Sequence, residues 1–304
     1  MNNRFYVLKV LAVLLICCVG IAQTQTTIDA GRGDVSMWIP TSYNKDNPLP
    51  LIVAIHGFTG SSNSLNNYWD ISDFVDYQNF ILCMPDATKD SRGRRFWNAT
   101  AACCDMERSG IDDSGYLRRL IEQIQTEYSI DKDSIHITGY SNGGFMSYRM
   151  ASDHADIVAS IASLAGATYF DESLITPSES VHVLHVHGTD DTTVDYGGDC
   201  WGETCFPSAK KSVELWAQFN GCGVEPTLHT PLDLDRNIEG PETTILHYST
   251  KESPIVEVEL WSIHGAAHRP RFNVTFAPRV IKWLLEHRKP TRGDTVVPEE
   301  KKLQ

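Results

Sequence analysis

Apolar runs punctuate the chain at 51–55, 80–84, 135–138, 157–164, 181–186 and 256–261. Each is short, rich in Val and Ile, and close to continuous, the pattern of strands buried on both faces. Between the runs, apolar positions recur at helical spacing. Tyr116, Leu120, Ile121, Ile124 and Tyr128 mark a helix over 113–128, and 141–152, 209–219 and 276–287 read the same way. Strands alternating with helices predict an α/β fold, a mostly parallel central sheet with helices on both faces. Residues 29–39 predict an antiparallel edge hairpin ahead of that sheet.

The N-terminal residues break this pattern. Arg4 and Lys9 precede an apolar run over 10–16, and Gly20 and Ala22 supply small residues before a cut after Ala22. This is the layout of a secretory signal peptide. The run is shorter than the roughly 20 residues a spanning helix needs. The expected organisation is therefore a signal peptide at 1–22, one catalytic domain at 23–288, and a flexible, charged tail at 289–304. The expected location is secreted, or periplasmic in a bacterium, with no stable membrane association.

Charge narrows the partners. Removing Arg4 and Lys9 from 26 basic residues leaves 24 against 39 acidic ones, a net of −15. Such a surface repels phosphate backbones, so nucleic acid is excluded as an expected partner. Of the eight cysteines, Cys17 and Cys18 leave with the signal. Cys83, Cys103, Cys104, Cys200, Cys205 and Cys222 remain, an even set that points to disulfides in an exported chain. Cys200 and Cys205 are spaced to close a small loop. No zinc spacing occurs, and neither metal nor organic cofactor is expected.

The chemistry centres on Gly139-Tyr140-Ser141-Asn142-Gly143, which lies between a predicted strand and a predicted helix. Strand, Gly-x-Ser-x-Gly and helix make the nucleophile elbow of α/β-hydrolases. Glycines permit the tight turn, and the helix N-terminus favours developing negative charge near Ser141. A serine nucleophile needs a base, and the base needs an orienting carboxylate. In this fold they follow in the order Ser, Asp or Glu, His. Asp191 is the first candidate for the acid, with Asp190 second. His268 is the first candidate for the base, with His264 second. Both pairs follow predicted strands at the C-terminal ends, where sites gather in open parallel sheets. An oxyanion hole needs two backbone N–H groups. Asn142 supplies one. The loop His56-Gly57-Phe58-Thr59-Gly60 supplies the other, through Phe58 or, next, Thr59.

Several stretches in sequence carry a family resemblance: "PLIVAIHGFTGSS", "FWNATAACCD", "GIDDSGYLRRLIEQIQTEYSIDKDSIHITGYSNGGFMSYRMA", "VLHVHGTDDTTVDY", "WAQFNGCG" and "GAAHRP". Over about residues 30 to 285 the chain resembles the secreted polyhydroxybutyrate depolymerase and feruloyl esterase group. That resemblance implies an α/β-hydrolase fold and a serine esterase acting on feruloyl or acetyl esters of plant polysaccharides, or on hydroxyalkanoate polyester. It matches Ser141, Asp191 and His268 to the family's triad positions. Many relatives carry Thr-Trp-Pro after the catalytic histidine. This chain reads Ala266-Ala267-His268-Arg269-Pro270, which leaves the acyl pocket open.

Trp97, Tyr140 and Thr59 are the expected substrate contacts, with core packing the alternative for Trp97. His185 and His187 project from one strand face but lack a third metal ligand. Asp112 and Asp113 read as a helix N-cap with local hydrogen bonding rather than a glycosidase pair. Two rival readings remain: a peptidase on the same scaffold, and a non-catalytic carbohydrate- or surface-binding protein.

Overall fold

The computed structural model describes residues 23–290. The expected signal peptide and all but the first two residues of the expected tail lie outside them. The chain opens with strands β1 (Thr24–Asp29) and β2 (Asp34–Ile39), which pair antiparallel as the expected hairpin. Then follow β3 (Leu49–Ile55), helix α1 (Ser62–Trp69), the single turn α2 (Val75–Gln78) and β4 (Ile81–Met84). Helix α3 (Asp113–Glu127), β5 (Ile130–Tyr140), α4 (Asn142–Asp153), β6 (Ser160–Leu164) and β7 (His182–Gly188) come next. A small hairpin, β8 (Gly198–Trp201) with β9 (Thr204–Pro207), is closed by the Cys200–Cys205 disulfide. Helix α5 (Ala209–Phe219), β10 (Thr227–Leu232), β11 (Thr243–Ser249), β12 (Glu257–Ile263) and α6 (Phe276–Glu286) complete the fold.

The main sheet runs β1-β2-β4-β3-β5-β6-β7-β12-β11-β10. From β4 to β12 every pairing is parallel, and both flanks are antiparallel. Strand β3 shows why its run is continuous. Leu51, Val53 and Ile55 pack into the core on one face, and Ile52 and Ala54 into the core on the other. Helix α3 forms where expected. Asp112 caps it by accepting the Gly115 N–H at 2.8 Å. Its buried stripe includes Tyr116, Leu120, Ile121 and Ile124.

Two cysteine findings depart from a full three-bridge set. Cys103 and Cys104 bond to each other, and Cys83 and Cys222 stay free thiols. The start of the expected tail is docked. The Lys289 N–H donates to Asp133 O at 2.7 Å, and its ammonium lies 2.9 Å from Glu179 Oε2.

Candidate active site

Ser141 sits between β5 and α4 at φ 57°, ψ −119°. A non-glycine residue rarely holds a positive φ, and such strain persists only where the surroundings over-determine it. Here the Ser141 N–H donates to Leu164 O at 2.8 Å. The flanking glycines have no room for side chains. A Cβ on Gly139 would stand 2.3 Å from Gly143 O, and one on Gly143 would stand 2.0 Å from Ile55 O. The turn therefore presses the start of α4 onto β3 and leaves the serine hydroxyl at the sheet's C-terminal edge.

Two further strand ends deliver partners to that hydroxyl. His268, in the loop after β12, places Nε2 3.0 Å from Ser141 Oγ. Its Nδ1 lies 2.7 Å from Asp191 Oδ2, in the loop after β7. Asp191 has no exposed side-chain surface. Its Oδ1 accepts the N–H groups of Thr193 at 2.8 Å and Val194 at 2.9 Å. Burial by itself would raise this carboxyl's pKa. Hydrogen bonds from His187 and His268, the charge of His268 and the Val194 N–H outweigh burial and hold it well below the usual carboxylate range. The second candidates stand outside this row. Asp190 is exposed and accepts from the Thr189 hydroxyl, and the exposed His264 bonds Thr244.

Behind Asp191 runs a second, fully buried row. His187 Nε2 lies 3.1 Å from Asp191 Oδ2 and 2.9 Å from Val194 O. His187 Nδ1 lies 3.0 Å from His185 Nε2, and His185 Nδ1 lies 2.8 Å from the Tyr148 hydroxyl. A carbonyl only accepts, so His187 Nε2 carries a hydrogen. Burial pushes His185 well below the ordinary histidine range and the Tyr148 phenol well above its own. One assignment then matches every hydrogen: Tyr148 donates to His185, His185 to His187, and His187 to Asp191 and Val194. The two histidines that lacked a third metal ligand in sequence serve here as hydrogen-bond links.

The loop after β3 closes the site. Phe58 N–H has no partner among the described residues, whereas Thr59 N–H donates to Arg95 O at 2.8 Å. Asn142 begins α4, so its N–H has no intrahelical acceptor. These are the two free donors beside Ser141, and Thr59 is not a third. The Asn142 side chain clamps Trp97: its Oδ1 accepts Trp97 N–H at 2.8 Å and its Nδ2 donates to Trp97 O at 2.9 Å. The Trp97 indole N–H in turn donates to His56 O at 3.0 Å. Trp97 has no solvent-exposed surface, which corrects its expected place as a substrate contact. It braces the loop that carries Phe58. Tyr140 and Thr59 do line a cavity of about 290 Å³ with Phe58, Ser64, Tyr68 and Arg269. The Tyr140 ring lies 5.1 Å from that of His268. Sequence reasoning missed Tyr68 and Arg269. Tyr68 lies on α1, whose apolar stripe is too narrow to announce a helix. Arg269 stood in plain view next to the candidate histidine.

A largely parallel sheet of this order, with a serine on such an elbow, defines an α/β-hydrolase. The chain belongs to the phospholipase/carboxylesterase family, which matches residues 44–203. It is 25% identical over 240 residues to feruloyl esterase B of Piromyces equi, spanning 75% of this chain and 41% of that protein. To poly(3-hydroxyalkanoate) depolymerase C of Paucimonas lemoignei it is 24% identical over 169 residues, spanning 55% of this chain and 39% of that protein. The chain thus covers less than half the length of either relative. The acetyl xylan esterase structure from Aspergillus awamori superposes with a TM-score of 0.60 at 16% identity, over 86% of this chain and 98% of that one. That likeness shows the shared fold. No helix among the described residues is long and apolar enough to cross a membrane.

Proposed function

We propose that this protein is a secreted serine carboxylesterase working through an acyl-enzyme on Ser141. The observation that carries the reading is the unbroken row from Ser141 Oγ through His268 to Asp191, at 3.0 and 2.7 Å. His268 Nε2 removes the Ser141 proton as Oγ attacks the ester carbonyl. Asp191 fixes the tautomer that leaves Nε2 free to accept, and stabilises the imidazolium that forms. The Phe58 and Asn142 N–H groups hold the developing oxyanion. His268 then protonates the departing alcohol, and later activates the water that releases the acid. The first substrates to test follow from the relatives' names: feruloyl and acetyl esters of plant polysaccharides, and hydroxyalkanoate polyester or its oligomers.

Ser141→Ala tests the assignment. Turnover of p-nitrophenyl acetate should fall by roughly three orders of magnitude or more while the fold persists. A fluorophosphonate probe should label the parent at Ser141 and leave the alanine variant untouched. Near-parental turnover by the variant would end the reading. A peptidase would cleave short peptide amides as well as esters, an esterase would leave the peptides intact, and a binding module would neither label nor turn over.

A further inference from the structure

The cavity beside the Phe58 loop has one lining residue with a formal charge, and that residue is Arg269. His56, also in its wall, is kept neutral by burial, which outweighs its bond to Gly57 O. The Arg269 guanidinium packs over the Tyr68 ring, 4.4 Å from the centroid, and makes no ion pair among the described residues. Two arginines that touch the Phe58 loop differ. Arg94 lies 2.7 Å from Asp90 and Arg95 lies 3.0 Å from Asp86. Arg236, in a neighbouring cavity that shares Tyr68, and Arg271 are likewise without ion pairs among the described residues. The buried carboxylate of Asp235 is engaged by the backbone N–H groups of Asn237 and Arg271 at 2.8 Å each. In a chain with 39 acidic and 26 basic residues, Arg269 brings a guanidinium with no ion pair among the described residues to the wall of a cavity that Tyr140, the neighbour of Ser141, also lines.

Arg269 is solvent-exposed, its guanidinium sits over the Tyr68 ring, and its N–H groups have no hydrogen-bond partner among the described residues. The ring contact and the unpaired N–H groups favour a charge-assisted, two-pronged bond to a carboxylate. We propose that Arg269 is a receptor for a carboxylate on the substrate itself, a few bonds from the ester that reacts. The substrate class is an ester of a hydroxy acid whose own carboxyl is free, such as an acylated 3-hydroxyalkanoate or a short hydroxyalkanoate oligomer. The inference rests on the esterase reading above. The reaction balances as hydrolysis. The acyl carbon passes from the hydroxy-acid oxygen to Ser141 and then to water, releasing one carboxylic acid and one free hydroxy acid.

Two matched substrates test it: 3-acetoxybutyrate, an anion, and 3-acetoxybutyramide, its neutral analogue. Acetate release is followed for the parent and for Arg269→Gln, with p-nitrophenyl acetate as the control ester. Comparing the ratio of kcat/KM values between enzymes cancels the intrinsic reactivity difference of the two esters. In the parent the anion should be favoured, chiefly through KM. In Arg269→Gln the anion-to-amide ratio should fall about tenfold, and about 0.5 M salt should lower the parent's ratio toward the variant's. Arg269→Lys, with charge but no fork, should fall between them. Equal ratios in parent and Arg269→Gln, with p-nitrophenyl acetate still turned over by the parent, would overturn the carboxylate receptor and leave the esterase standing. A parent that releases nothing from any of the three would overturn both.

Discussion

His187 Nε2 and His268 Nδ1 converge on one oxygen, Oδ2 of Asp191, at 3.1 and 2.7 Å. The carboxylate is thus held from behind by one imidazole while it orients the other. Removing the rear donor should loosen the front one. His187→Leu keeps the volume and deletes the donor. Its kcat on p-nitrophenyl acetate should fall roughly tenfold with KM unchanged, the effect of about 1.4 kcal/mol on the barrier. His187→Gln can present an amide N–H near the same place and should recover most of that loss. If both variants matched the parent in kcat while their urea midpoints dropped, His187 would be a core residue with no part in positioning Asp191.

Trp97 yields a prediction that separates bracing from binding. It is enclosed and holds His56 O through its indole N–H. Trp97→Phe loses that bond and leaves a small void, and should cost about 2 kcal/mol of stability. The Phe58 N–H on the same loop, the proposed oxyanion donor, should shift with it. Steady-state measurements should show kcat falling several-fold for large and small esters alike, with KM little changed. A loss confined to KM for bulky acyl groups would return Trp97 to the substrate pocket.

The sheet was legible because its central strands are buried on both faces, so that nearly every position is apolar. The three site loops could be found because each follows one of those strands. Ser141 was legible through sterics, since only glycine fits at 139 and 143. Elements at the periphery were not. Strand β10 is exposed along most of its length, and nothing in its residues demands a sheet partner. Helix α1 depends on its cap, where Ser61 and Ser64 exchange backbone and side-chain bonds, and buries only Leu65 and Trp69. Trp97 was misjudged because an aromatic residue near a site looks alike in sequence whether it faces substrate or core. The buried hydrogen-bond row through His185 and Tyr148 joins residues 37 positions apart, which no local pattern reveals.

The contact between α4 and β3 gives a steric prediction. Gly143→Ala would set a Cβ 2.0 Å from Ile55 O and 2.8 Å from His56 O, both backbone atoms that cannot swing aside. The first turn of α4 would move away from the Phe58 loop, parting the Asn142 and Phe58 N–H groups proposed as oxyanion donors. Unfolding free energy should drop by about 2–3 kcal/mol, and kcat should fall by about two orders of magnitude, the weight of one oxyanion donor. Wild-type kcat in a soluble Gly143→Ala protein would show that the two donors need not keep this spacing.

Asp191 sets the sign of an acid-stability test. Its native carboxyl is held well below the usual range: burial alone would raise it, but the bonds from His187 and His268 prevail. An unfolded aspartate titrates near 3.9. Below about pH 5 the unfolded chain therefore takes up a proton before the native one does, and stability falls with pH. The stabilisation from this group is present above the unfolded value and is lost as pH drops through the lower native one. Asp191→Asn cannot titrate there. Urea unfolding of both proteins at pH 5, 4 and 3 should show the parent's advantage shrinking with each step, as the one group in which they differ takes up its proton. An advantage that stayed constant to pH 3, or grew, would mean that the carboxylate is not stabilised in its ionised form.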